Sequence, residues 1–304
     1  MRVTKLTSTG DALVLDAARA SFGRRSSEFT MQQNERLIKY LAEHRHWSPF
    51  AHPRYTFVME QPDLDLYTLT PELTSGMAVK RLDIGLYKIA VRHSLYGWVN
   101  LLQHLPMTLG LRIAKALMQH NPVSFKHLAP EVFEQVQAAG DTVEPLGAVG
   151  LEDDHFQDYS VLYEVPIFVA RQEFKHIVGA VRNERSGRYV SSDITCYMPE
   201  QWRKKPEGNI KQGSGGNLPP INNEYQRTRY RGCVNQAMQA YEDMLNDGVA
   251  PEMARMVLPQ SMMTSYVVTG SRAMFKRFIM QRQELDAQAE IRHLAELVRK
   301  ELDL

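Results

Sequence analysis

The sequence predicts an α+β fold, with a β-sheet core flanked by helices and a mainly helical insertion at residues 61–160. Two segments, 54–60 and 161–165, are rich in aromatic and β-branched residues, which is typical of strands. Most of the remaining chain carries apolar residues at a helical period. Between the two strand-like segments lie several helical stretches, separated by turns that carry Pro and Gly.

The first sixty residues predict two helices and a strand. The segment "GDALVLDAARASFG" has the pattern of a short helix that ends near Gly23. In "NERLIKYLAEHRHWSPF", Leu37, Ile38 and Leu41 recur at helical spacing, and Pro49 stops the pattern. The segment "RYTFVME" follows as a strand.

Residues 61–160 predict a helical elaboration of the core. "RLDIGLYKIAVRHSLYGWVNLLQ", "MTLGLRIAKALMQH" and "PEVFEQVQAAG" indicate helices, and "GAVGLEDDHFQD" indicates an acidic loop. The insertion can extend an oligomer or cover a functional site on the core. It can also act as a lid, with His93, Tyr96 and Trp98 as ligand contacts; the alternative for these three residues is a place in the core.

The second half of the chain returns to a strand, "VLYEV", and then to a helix. Pro166 suits the first turn of a helix through "PIFVARQEFKH" that ends at Gly179. Within such a helix, Arg171 and Lys175 share one face because they are four residues apart. Gln172 and His176 share a face for the same reason.

The C-terminal third predicts mostly helices. A loop, "EGNIKQGSGGNLPPINN", precedes a long helix, "EYQRTRYRGCVNQAMQAYEDMLNDG", and a short one, "PEMARMVLP". Two more helices follow in "SRAMFKRFIMQRQ" and "AQAEIRHLAELVRKEL". The buried face predicted for the last helix comprises Ile291, Leu294, Ala295, Val298 and Leu302.

The overall charge argues against a protein that lives on nucleic acid. Lys and Arg number 36 and Asp and Glu 35, which leaves a net charge of +1. Proteins that bind long polyanions or anionic membranes usually carry a larger basic excess. Basicity is instead local, in the stretch 171–190, where Arg and Lys alternate with polar groups that can orient a ligand. This pattern is typical of a solvated face or of a small anionic site.

The cysteine content and the N-terminal segment favour a protein of the reducing cytoplasm. Cys196 and Cys233 are the two cysteines, and their spacing suggests neither a disulfide framework nor a thiolate metal site. The N-terminal segment lacks the apolar core of a signal peptide. His44, His46 and His52 come closest to a histidine cluster, but they lack matching carboxylates, so we expect no metal site.

Familiar catalytic motifs are missing from the sequence, which contains no GxGxxG after a strand, no GxxxxGK[ST], no HExxH and no GxSxG. What remains are arginines on predicted helix faces: Arg255, Arg272, Arg277 and Arg282. A guanidinium can bind a phosphate or the edge of an imide such as uracil through two hydrogen bonds. Solvated faces with acidic partners are the alternative for each of them.

Several segments together resemble the flavin-dependent thymidylate synthases, the ThyX family. The segment "PIFVARQ…KH…NERSGRYV" is similar to the family's signature, Arg-His-Arg followed after seven residues by Ser. Other landmarks occur in the same order: "AARASFG", "HWSPFAH", "GVAPEMARMVLP", "VTGS" and "AQAEIR". The resemblance covers residues 1–60 and 161–304, and it is closest to a subgroup associated with phage genomes. For a phage-encoded enzyme the compartment would be the host cytoplasm.

The resemblance implies an activity and an assembly. Such enzymes transfer a methylene group from 5,10-methylenetetrahydrofolate to dUMP and reduce it with FADH2, which NADPH regenerates. They need no cysteine nucleophile and form homotetramers with an α+β core, in which subunits share each site. We therefore expect dUMP and folate as substrates, FAD and NADPH as cofactors, and no membrane partner.

The resemblance also assigns site residues. Arg282 would pair with the uracil edge as the catalytic arginine. The dUMP contacts would be Gln172, Lys175, Glu184, Arg185, Ser186, Gly187, Arg188 and Arg255. The FAD contacts would be Ser21, Ser48, Lys175, His176, Arg182, Asn183 and Glu184, with Ser271 and Arg277 from another subunit. His46 and His52 match histidines that flank the flavin region.

The chain departs from the family pattern at several positions. Lys175 and Ile177 replace the two arginines of the signature, and Ile177 cannot donate a hydrogen bond. Eight residues separate Ile177 from Ser186, so Arg182 is the extra residue. It can return a guanidinium to the space that Ile177 leaves, or it can lie in solvent. Ala51 stands where the family carries Glu.

A further departure is Ala273, which occupies a position where many members carry Arg. These changes leave two other functions open. One is a related flavin- and folate-dependent hydroxymethylase acting on a pyrimidine nucleotide. The other is a non-catalytic relative that binds nucleotide or RNA. The presence of Arg255, Arg282 and Ser186 together argues against the second.

Overall fold

A computed structural model of the chain describes residues 1–60, 64, 69–82, 88–185, 194–207 and 213–304. The strands are β1 (Arg2–Lys5), β2 (Arg54–Glu60), β3 (Ala78–Arg81), β4 (Lys88–Ser94), β5 (Asp158–Pro166), β6 (Ala180–Glu184) and β7 (Met263–Ser271). The helices are α1 (Gly10–Ala20), α2 (Met31–Glu43), α3 (Pro71–Thr74), α4 (Leu95–Leu101), α5 (Met107–His120), α6 (Pro122–Leu128), α7 (Pro130–Ala139), α8 (Ile167–Glu173), α9 (Pro220–Asn246), α10 (Pro251–Ala254), α11 (Arg272–Arg282) and α12 (Ala289–Leu302). Helices and antiparallel sheets thus confirm the predicted α+β class.

The central sheet has the strand order β1-β5-β7-β6, and all its pairs are antiparallel. Tyr163 on β5 lies opposite Tyr266 on β7, and Asn183 on the edge strand β6 lies opposite Val267. Successive side chains of a strand point to opposite faces. The sheet can therefore pack helices on both sides.

One face of this sheet is covered by the C-terminal helices. Tyr163, Tyr266 and Val268 belong to an apolar cluster with Phe275 of α11 and Leu294 of α12. The five residues predicted as the buried face of α12 are all buried, which confirms that pattern: Ile291, Leu294, Ala295, Val298 and Leu302.

The opposite face packs on α1. Val267 of β7 contacts a small apolar cluster that contains Ala17 and Ala20 of that helix. Small side chains at these two positions let the helix lie close to the sheet. The C-terminal end of α1, where Ser21 follows, is thereby fixed next to β6 and β7.

A second sheet, β2-β4-β3, packs against α1, α2 and the helices α4–α7. Phe57 of β2 and Trp98 of α4 are fully buried and meet edge to face, with ring centroids 5.0 Å apart. The indole Nε1 of Trp98 donates to the carbonyl oxygen of Tyr55 over 2.9 Å. His93 is also buried, and its Nε2 lies 3.0 Å from the carbonyl oxygen of Leu73. Both side chains thus serve the core.

Polar contacts join the 61–160 region to the core. The carboxylate of Asp11 on α1 accepts hydrogen bonds from the backbone N–H groups of Val123 and Ser124 at the start of α6. Arg92 of β4 pairs with Asp158 of β5 over 2.6 Å. These contacts join α6 to α1 and β4 to the central-sheet strand β5.

The helix α9 is the longest, with 27 residues, and Tyr241 is its buried residue. Val234, Met238 and Leu245, predicted on the same stripe as Tyr241, are half-buried. Neither α9 nor any other helix within the described ranges is both long and apolar enough to cross a lipid bilayer.

The helix predicted over 81–103 is wrong in its first part. Lys88–Ser94 is the strand β4, which pairs with β2 and β3, and the chain becomes helical only at Leu95. The run "KIAVRHS" is buried on both faces, so its apolar residues do not alternate as in a half-exposed strand. Ser94 caps α4 by accepting from the N–H of Gly97.

The helix predicted to end at Gly179 is also wrong, because α8 ends at Glu173. Lys175 and His176 therefore lie in a turn beyond the helix, and they share no helical face with Arg171 and Gln172. Gly179 has a φ of 80° and allows the chain to reverse into β6. The strands β1, β3, β6 and β7 were not predicted from the sequence.

Candidate functional site

A cavity of about 860 Å³ opens beside the end of β6, and we call it the β6 cavity. Its lining includes many of the residues that the sequence analysis selected: Ser21, His46, Ser48, Asn183, Glu184, Arg185 and Arg255. Tyr40, Phe22 and Glu252 also line it and were not selected. Ligand pockets commonly have volumes of roughly 300–1,000 Å³. The volume therefore suits a small ligand of nucleotide size.

Different elements carry the polar side chains of the β6 cavity. Ser21 follows the last turn of α1, and Ser48 begins a 3-10 turn after α2. Asn183 and Glu184 are the last two residues of β6. Arg255 follows α10, and its Nε donates to the carbonyl oxygen of Glu252 over 3.2 Å. Hydroxyl, amide and guanidinium groups thus meet around one space.

Glu184 and Arg185 are held by β7. The hydroxyl of Thr264 donates to Oε1 of Glu184 over 2.9 Å, and the backbone N–H of Arg185 donates to the carbonyl oxygen of Ser265 over 2.7 Å. Partial desolvation raises the pKa of Glu184. The side chain of Arg185 passes close to Gly23, where a larger residue would meet its guanidinium.

Asn183 is oriented by a buried chain of side chains. Its Oδ1 lies 3.1 Å from Nε2 of His52, and Nδ1 of His52 lies 2.8 Å from the hydroxyl of Thr269. That hydroxyl contacts the hydroxyl of Ser160 at 2.6 Å. Burial lowers the pKa of His52 to about 3, with a further contribution from Arg54, so the imidazole is neutral. The amide NH2 of Asn183 is consequently directed away from His52.

Three predicted residues, Gln172, His176 and Arg282, meet between α8 and α11. With Gln288, which contacts Gln172, they form a group that we call the α8–α11 cluster. Nε of Arg282 donates to Nε2 of His176 over 2.8 Å, and its Nη2 reaches the carbonyl oxygen of Gln172 at 3.3 Å. The side-chain amide of Gln172 donates to Oε1 of Gln288 over 2.8 Å. Gln288 lies in the "AQAEIR" segment, but the sequence analysis gave it no role.

His176 is neutral in this cluster. Burial and the guanidinium groups of Arg282, Arg182 and Arg277 lower its pKa to about 4. Its Nε2 accepts the hydrogen bond from Arg282, so the ring proton lies on Nδ1. His176 is 8% exposed, whereas the preceding Lys175 is exposed.

The remaining predicted flavin contacts lie near the start of α11. Ser271 is buried, and its hydroxyl caps the helix by accepting from the N–H of Met274 over 3.2 Å. Nη2 of Arg277 donates to the carbonyl oxygen of Val178 over 2.8 Å. Ile177 and Val178 are 69% and 67% exposed, so an apolar surface stands where the signature carries a cation.

Arg182 takes neither of the two positions considered in the sequence analysis. Its guanidinium binds the buried carboxylate of Glu173 through two hydrogen bonds of 2.7 and 2.9 Å. The side chain of Arg182 is 14% exposed, so it does not lie in solvent. Ile177 points outward and leaves no interior space for Arg182 to fill. The assignment of Arg182 to FAD stays a prediction.

Within the described residues, the predicted site thus divides into two groups. The lining of the β6 cavity contains none of the α8–α11 cluster. Ser186, Gly187 and Arg188 lie outside the described residues. Tyr96 of α4, one of the three residues proposed for a lid, stacks on Trp47 with ring centroids 4.9 Å apart, and neither residue lines the β6 cavity.

The donors of the β6 cavity fit an anionic cofactor or nucleotide. Arg185 and Arg255 supply cationic donors and Ser21 and Ser48 supply hydroxyls, the groups that bind phosphate oxygens. Among the described residues, no group of three His, Cys, Asp or Glu side chains is arranged to hold a metal ion.

Comparison with known proteins identifies a family. A family model described as "Thymidylate synthase complementing protein" (Thy1) matches residues 2–66 and 155–303. The chain is 28% identical to a flavin-dependent thymidylate synthase of Aquifex aeolicus, over 95% of this chain and 93% of that protein. It is 39% identical to a flavin-dependent thymidylate synthase of Thermus thermophilus, over 46% of this chain and 52% of that protein. The chain therefore spans nearly all of the first relative and about half of the second.

One solved structure matches nearly the full length of this chain. A UMP/dUMP methylase, PolB, from Streptomyces cacaoi, bound with 5-Br dUMP, is 18% identical, with a TM-score of 0.43. The match covers 98% of this chain and 87% of that chain. The family model leaves residues 67–154 unmatched, and these include the helices α4–α7.

Proposed function

We propose that this chain, which belongs to the thymidylate synthase complementing protein family, is a flavin-dependent thymidylate synthase that methylates dUMP to dTMP. Its substrates would be dUMP and 5,10-methylenetetrahydrofolate, and its cofactors FAD and NADPH. The family model and the Aquifex aeolicus relative support the activity. The arrangement of the chain's own residues supports the parts assigned to them below.

The observation that carries the proposal is the geometry of Arg282. His176 and the carbonyl oxygen of Gln172 engage its Nε and Nη2 atoms. Within the described part of the chain, these contacts leave Nη1 for a ligand. A guanidinium fixed in this way presents a flat edge of N–H donors, which matches the imide edge of uracil.

Arg282 would act by stabilising negative charge on the pyrimidine. Two N–H donors directed at the N3–C4 edge favour the form in which N3 has lost its proton, and this form makes C5 more nucleophilic. A hydrogen bond to a charged group contributes about 1.5–3 kcal/mol. If it forms only in the transition state, the effect is roughly 10- to 100-fold in rate.

The β6 cavity would hold the phosphate and sugar of dUMP together with part of the flavin. Arg255 and Arg185 supply cations, and Glu184 can accept a hydrogen bond from the 3′-hydroxyl of the deoxyribose. Asn183, with its oxygen held by His52, presents its NH2 group as a donor. Bound flavin, once reduced by NADPH, would supply the hydride that converts the transferred methylene into a methyl group.

A complete site would need a second copy of the chain. The β6 cavity and the α8–α11 cluster carry different halves of the predicted contacts, and the cavity lining includes no residue of the cluster. We propose that the two halves meet across an interface in a homotetramer. Ser271 and Arg277, at the start of α11, would then belong to the half that comes from the neighbouring subunit.

Mass spectrometry of the nucleotide tests the proposal. Purified protein is incubated with FAD, dUMP, 5,10-methylenetetrahydrofolate and NADPH. A gain of one methyl group on the base is the expected result, and Arg282→Ala should slow its formation by roughly 10- to 100-fold or more. A hydroxymethyl product would instead identify the related hydroxymethylase. Unchanged dUMP in a protein that binds no flavin would contradict the proposal.

A control separates loss of the site from loss of the fold. Arg299→Ala changes an arginine near the end of α12, outside both groups of site residues. We expect this variant to retain activity, while Arg282→Ala loses activity at a temperature well below the thermal midpoint of both variants. Equal loss in both variants would show that the assay responds to folding rather than to Arg282.

A further inference from the structure

Glu173 and Arg182 form a buried ion pair next to the α8–α11 cluster. Nε and Nη2 of Arg182 donate to the two carboxylate oxygens of Glu173 over 2.9 and 2.7 Å. The Glu173 residue is 1% exposed. Burial alone would lower the pKa of Arg182, but its hydrogen bonds with Glu173 raise it. A buried carboxylate is stable only with such a partner, because the loss of its solvation is costly.

The same guanidinium also holds the backbone of the turn after α8. Nη2 of Arg182 donates to the carbonyl oxygen of His176 over 2.7 Å. The N–H of His176 donates to the carbonyl oxygen of Glu173 over 2.9 Å, which closes the turn on its other side. His176 is therefore fixed through both its backbone N–H and its carbonyl group.

The imidazole of His176 then reaches Arg282. Its Nε2 accepts from Nε of Arg282 over 2.8 Å, and its ring packs edge to face on Phe278, with centroids 5.0 Å apart. A continuous path of hydrogen bonds thus runs from Glu173 through Arg182 and His176 to Arg282. The catalytic guanidinium and the ion pair lie on opposite sides of one histidine.

We propose that Arg182 is a positioning residue for Arg282, acting by holding the carbonyl oxygen of His176. Glu173 keeps the guanidinium of Arg182 in the orientation that reaches this oxygen. The inference rests on the proposed function, in which Arg282 binds the pyrimidine. It assigns Arg182 a role different from direct contact with FAD.

The sequence around this turn fits such a role. Ile177 is 69% exposed and cannot donate a hydrogen bond, so the turn carries no cation at that position. Arg182 comes from β6, on the other side of the turn, where it lies opposite Val268 of β7. Its guanidinium lies 5.8 Å from the ring centroid of Phe174, within the turn itself. A cation supplied by β6 thus orders the turn.

The test distinguishes a role of Arg182 in positioning Arg282 from a general contribution of Arg182 to the stability of the fold. Arg182→Met leaves Glu173 buried without a partner and should lower the thermal midpoint. The double variant Glu173→Met, Arg182→Met replaces the ion pair by apolar side chains, a change that is often neutral for stability. It does not restore a donor to the carbonyl oxygen of His176. Arg182→Lys keeps one cationic donor but loses the two-pronged geometry.

Two measurements are made on each variant. Hydrogen–deuterium exchange on cofactor-free protein reports the amides of residues 174–180, and calorimetry reports dUMP binding to the FAD-loaded protein. In the double variant we expect exchange of these amides and the dissociation constant for dUMP each to rise about tenfold, the value of one lost charge-assisted hydrogen bond. The lysine variant should fall between the wild type and the double variant.

The control is Ile113→Ala, which truncates a fully buried side chain of α5. It should lower the thermal midpoint while leaving exchange at residues 174–180 and dUMP affinity unchanged. A double variant with wild-type exchange in this turn, or with dUMP affinity within twofold of wild type, would overturn the positioning role. If the double variant does not fold, a lysine variant with wild-type values in both measurements would overturn it equally.

The outcomes also separate this inference from the proposed function. A wild-type protein that binds no dUMP contradicts the function, whatever the variants do. A wild-type protein that binds dUMP, together with a folded double variant that binds it equally well, contradicts only the positioning role. Faster exchange in the turn together with weaker dUMP binding supports both.

Discussion

The side chain of His176 accepts a hydrogen bond at Nε2 from Nε of Arg282, over 2.8 Å. An imidazole nitrogen can accept only when it is unprotonated, so the contact requires neutral His176. Burial and the neighbouring guanidinium groups of Arg282, Arg182 and Arg277 favour the same form, and they lower the pKa of His176 to about 4. The orientation of Arg282 therefore depends on the protonation state of a buried histidine.

Acid should weaken the fold through His176. In the unfolded chain its pKa is near 6.5, so below this pH the unfolded state binds a proton that the folded state does not. The stabilising contribution is complete above pH 6.5 and is lost as the pH falls toward 4. Between pH 7.5 and 4.5 this loss amounts to about 2–3 kcal/mol. His176→Gln should reduce the pH dependence by that amount, as measured by urea unfolding at both pH values.

His44 provides the matched control, because it is an exposed histidine on the same chain. His44→Gln should leave the difference between the two pH values as in the wild type. His52 and His93 are also buried with lowered pKa values, so some pH dependence will persist in every variant. An equal pH dependence in wild type and His176→Gln would contradict the assignment of a neutral, buried His176.

Removing the imidazole of His52 should cost stability and flavin affinity together. His52→Phe keeps a planar ring but leaves Oδ1 of Asn183 without its partner, while the hydroxyl of Thr269 keeps its contact with Ser160. Each buried polar group left unsatisfied costs about 1–3 kcal/mol. We expect urea unfolding to show a loss of about 1–3 kcal/mol, the cost of the one unsatisfied group. FAD affinity, measured by quenching of flavin fluorescence, should also fall, because Asn183 is no longer oriented.

Ser160→Ala is the control for this prediction, since it removes the far end of the same hydrogen-bonded chain. Thr269 keeps its contact with His52 in that variant, so Asn183 should stay in place. The expected outcome is a small loss of stability and unchanged FAD affinity. If His52→Phe binds FAD as tightly as the wild type, Asn183 does not depend on His52 for its role.

Local patterns in the sequence predicted the elements that bury one regularly spaced row of apolar side chains. The buried face of α12, the ends of α1 and the strand β2 follow from apolar spacing and from residues that stop helices. β4 was missed because it is buried on both faces and continues directly into α4. Periodicity alone does not separate such a strand from a buried helix.

The site residues came from the resemblance, whereas their arrangement required the fold. The sequence indicated that Gln172, His176 and Arg282 belong to one site, but not that Arg282 bonds to His176. The pairing of Arg182 with Glu173 depends on the reversal at Gly179, which places β6 beside the end of α8. A helix continued to Gly179 would not have brought these two residues together.

Gly10 should tolerate no side chain. It has a φ of 56°, and a Cβ at this position would overlap the carbonyl oxygen of His120, the last residue of α5. We expect Gly10→Ala to lower the free energy of unfolding by about 3 kcal/mol, from left-handed backbone strain of roughly 1–2 kcal/mol and a steric term of similar size. Urea unfolding measures the change.

Gly76 is the matched control for Gly10, because it has a φ of 77° but nothing within 4 Å of its Cβ position. Gly76→Ala should therefore show the backbone term alone, about 1 kcal/mol. The difference between the two losses in free energy of unfolding measures the steric effect at the contact between α1 and α5. Equal effects would show that the 61–160 region does not pack as closely on α1 as the structure indicates.

Asp158 should be essential for the contact between the central sheet and the sheet β2-β4-β3. One carboxylate oxygen accepts from Arg54 over 3.0 Å and from Arg92 over 2.6 Å, and both arginine side chains are 6% exposed. Asp158→Asn keeps the shape but leaves two buried cations without a counter-charge, which costs about 3 kcal/mol or more. Arg54 also donates to the carbonyl oxygen of Gly179, so the turn that follows His176 should exchange its amides faster.

Asp154→Asn tests whether this cost depends on burial. Asp154 also contacts two cations, Arg272 at 3.3 Å and Lys276 at 2.6 Å, but its side chain is 38% exposed. Solvent-exposed ion pairs contribute only about 0–1 kcal/mol, so urea unfolding should show a small change at most. A loss in Asp158→Asn no larger than in Asp154→Asn would mean that water reaches the Arg54–Asp158–Arg92 group.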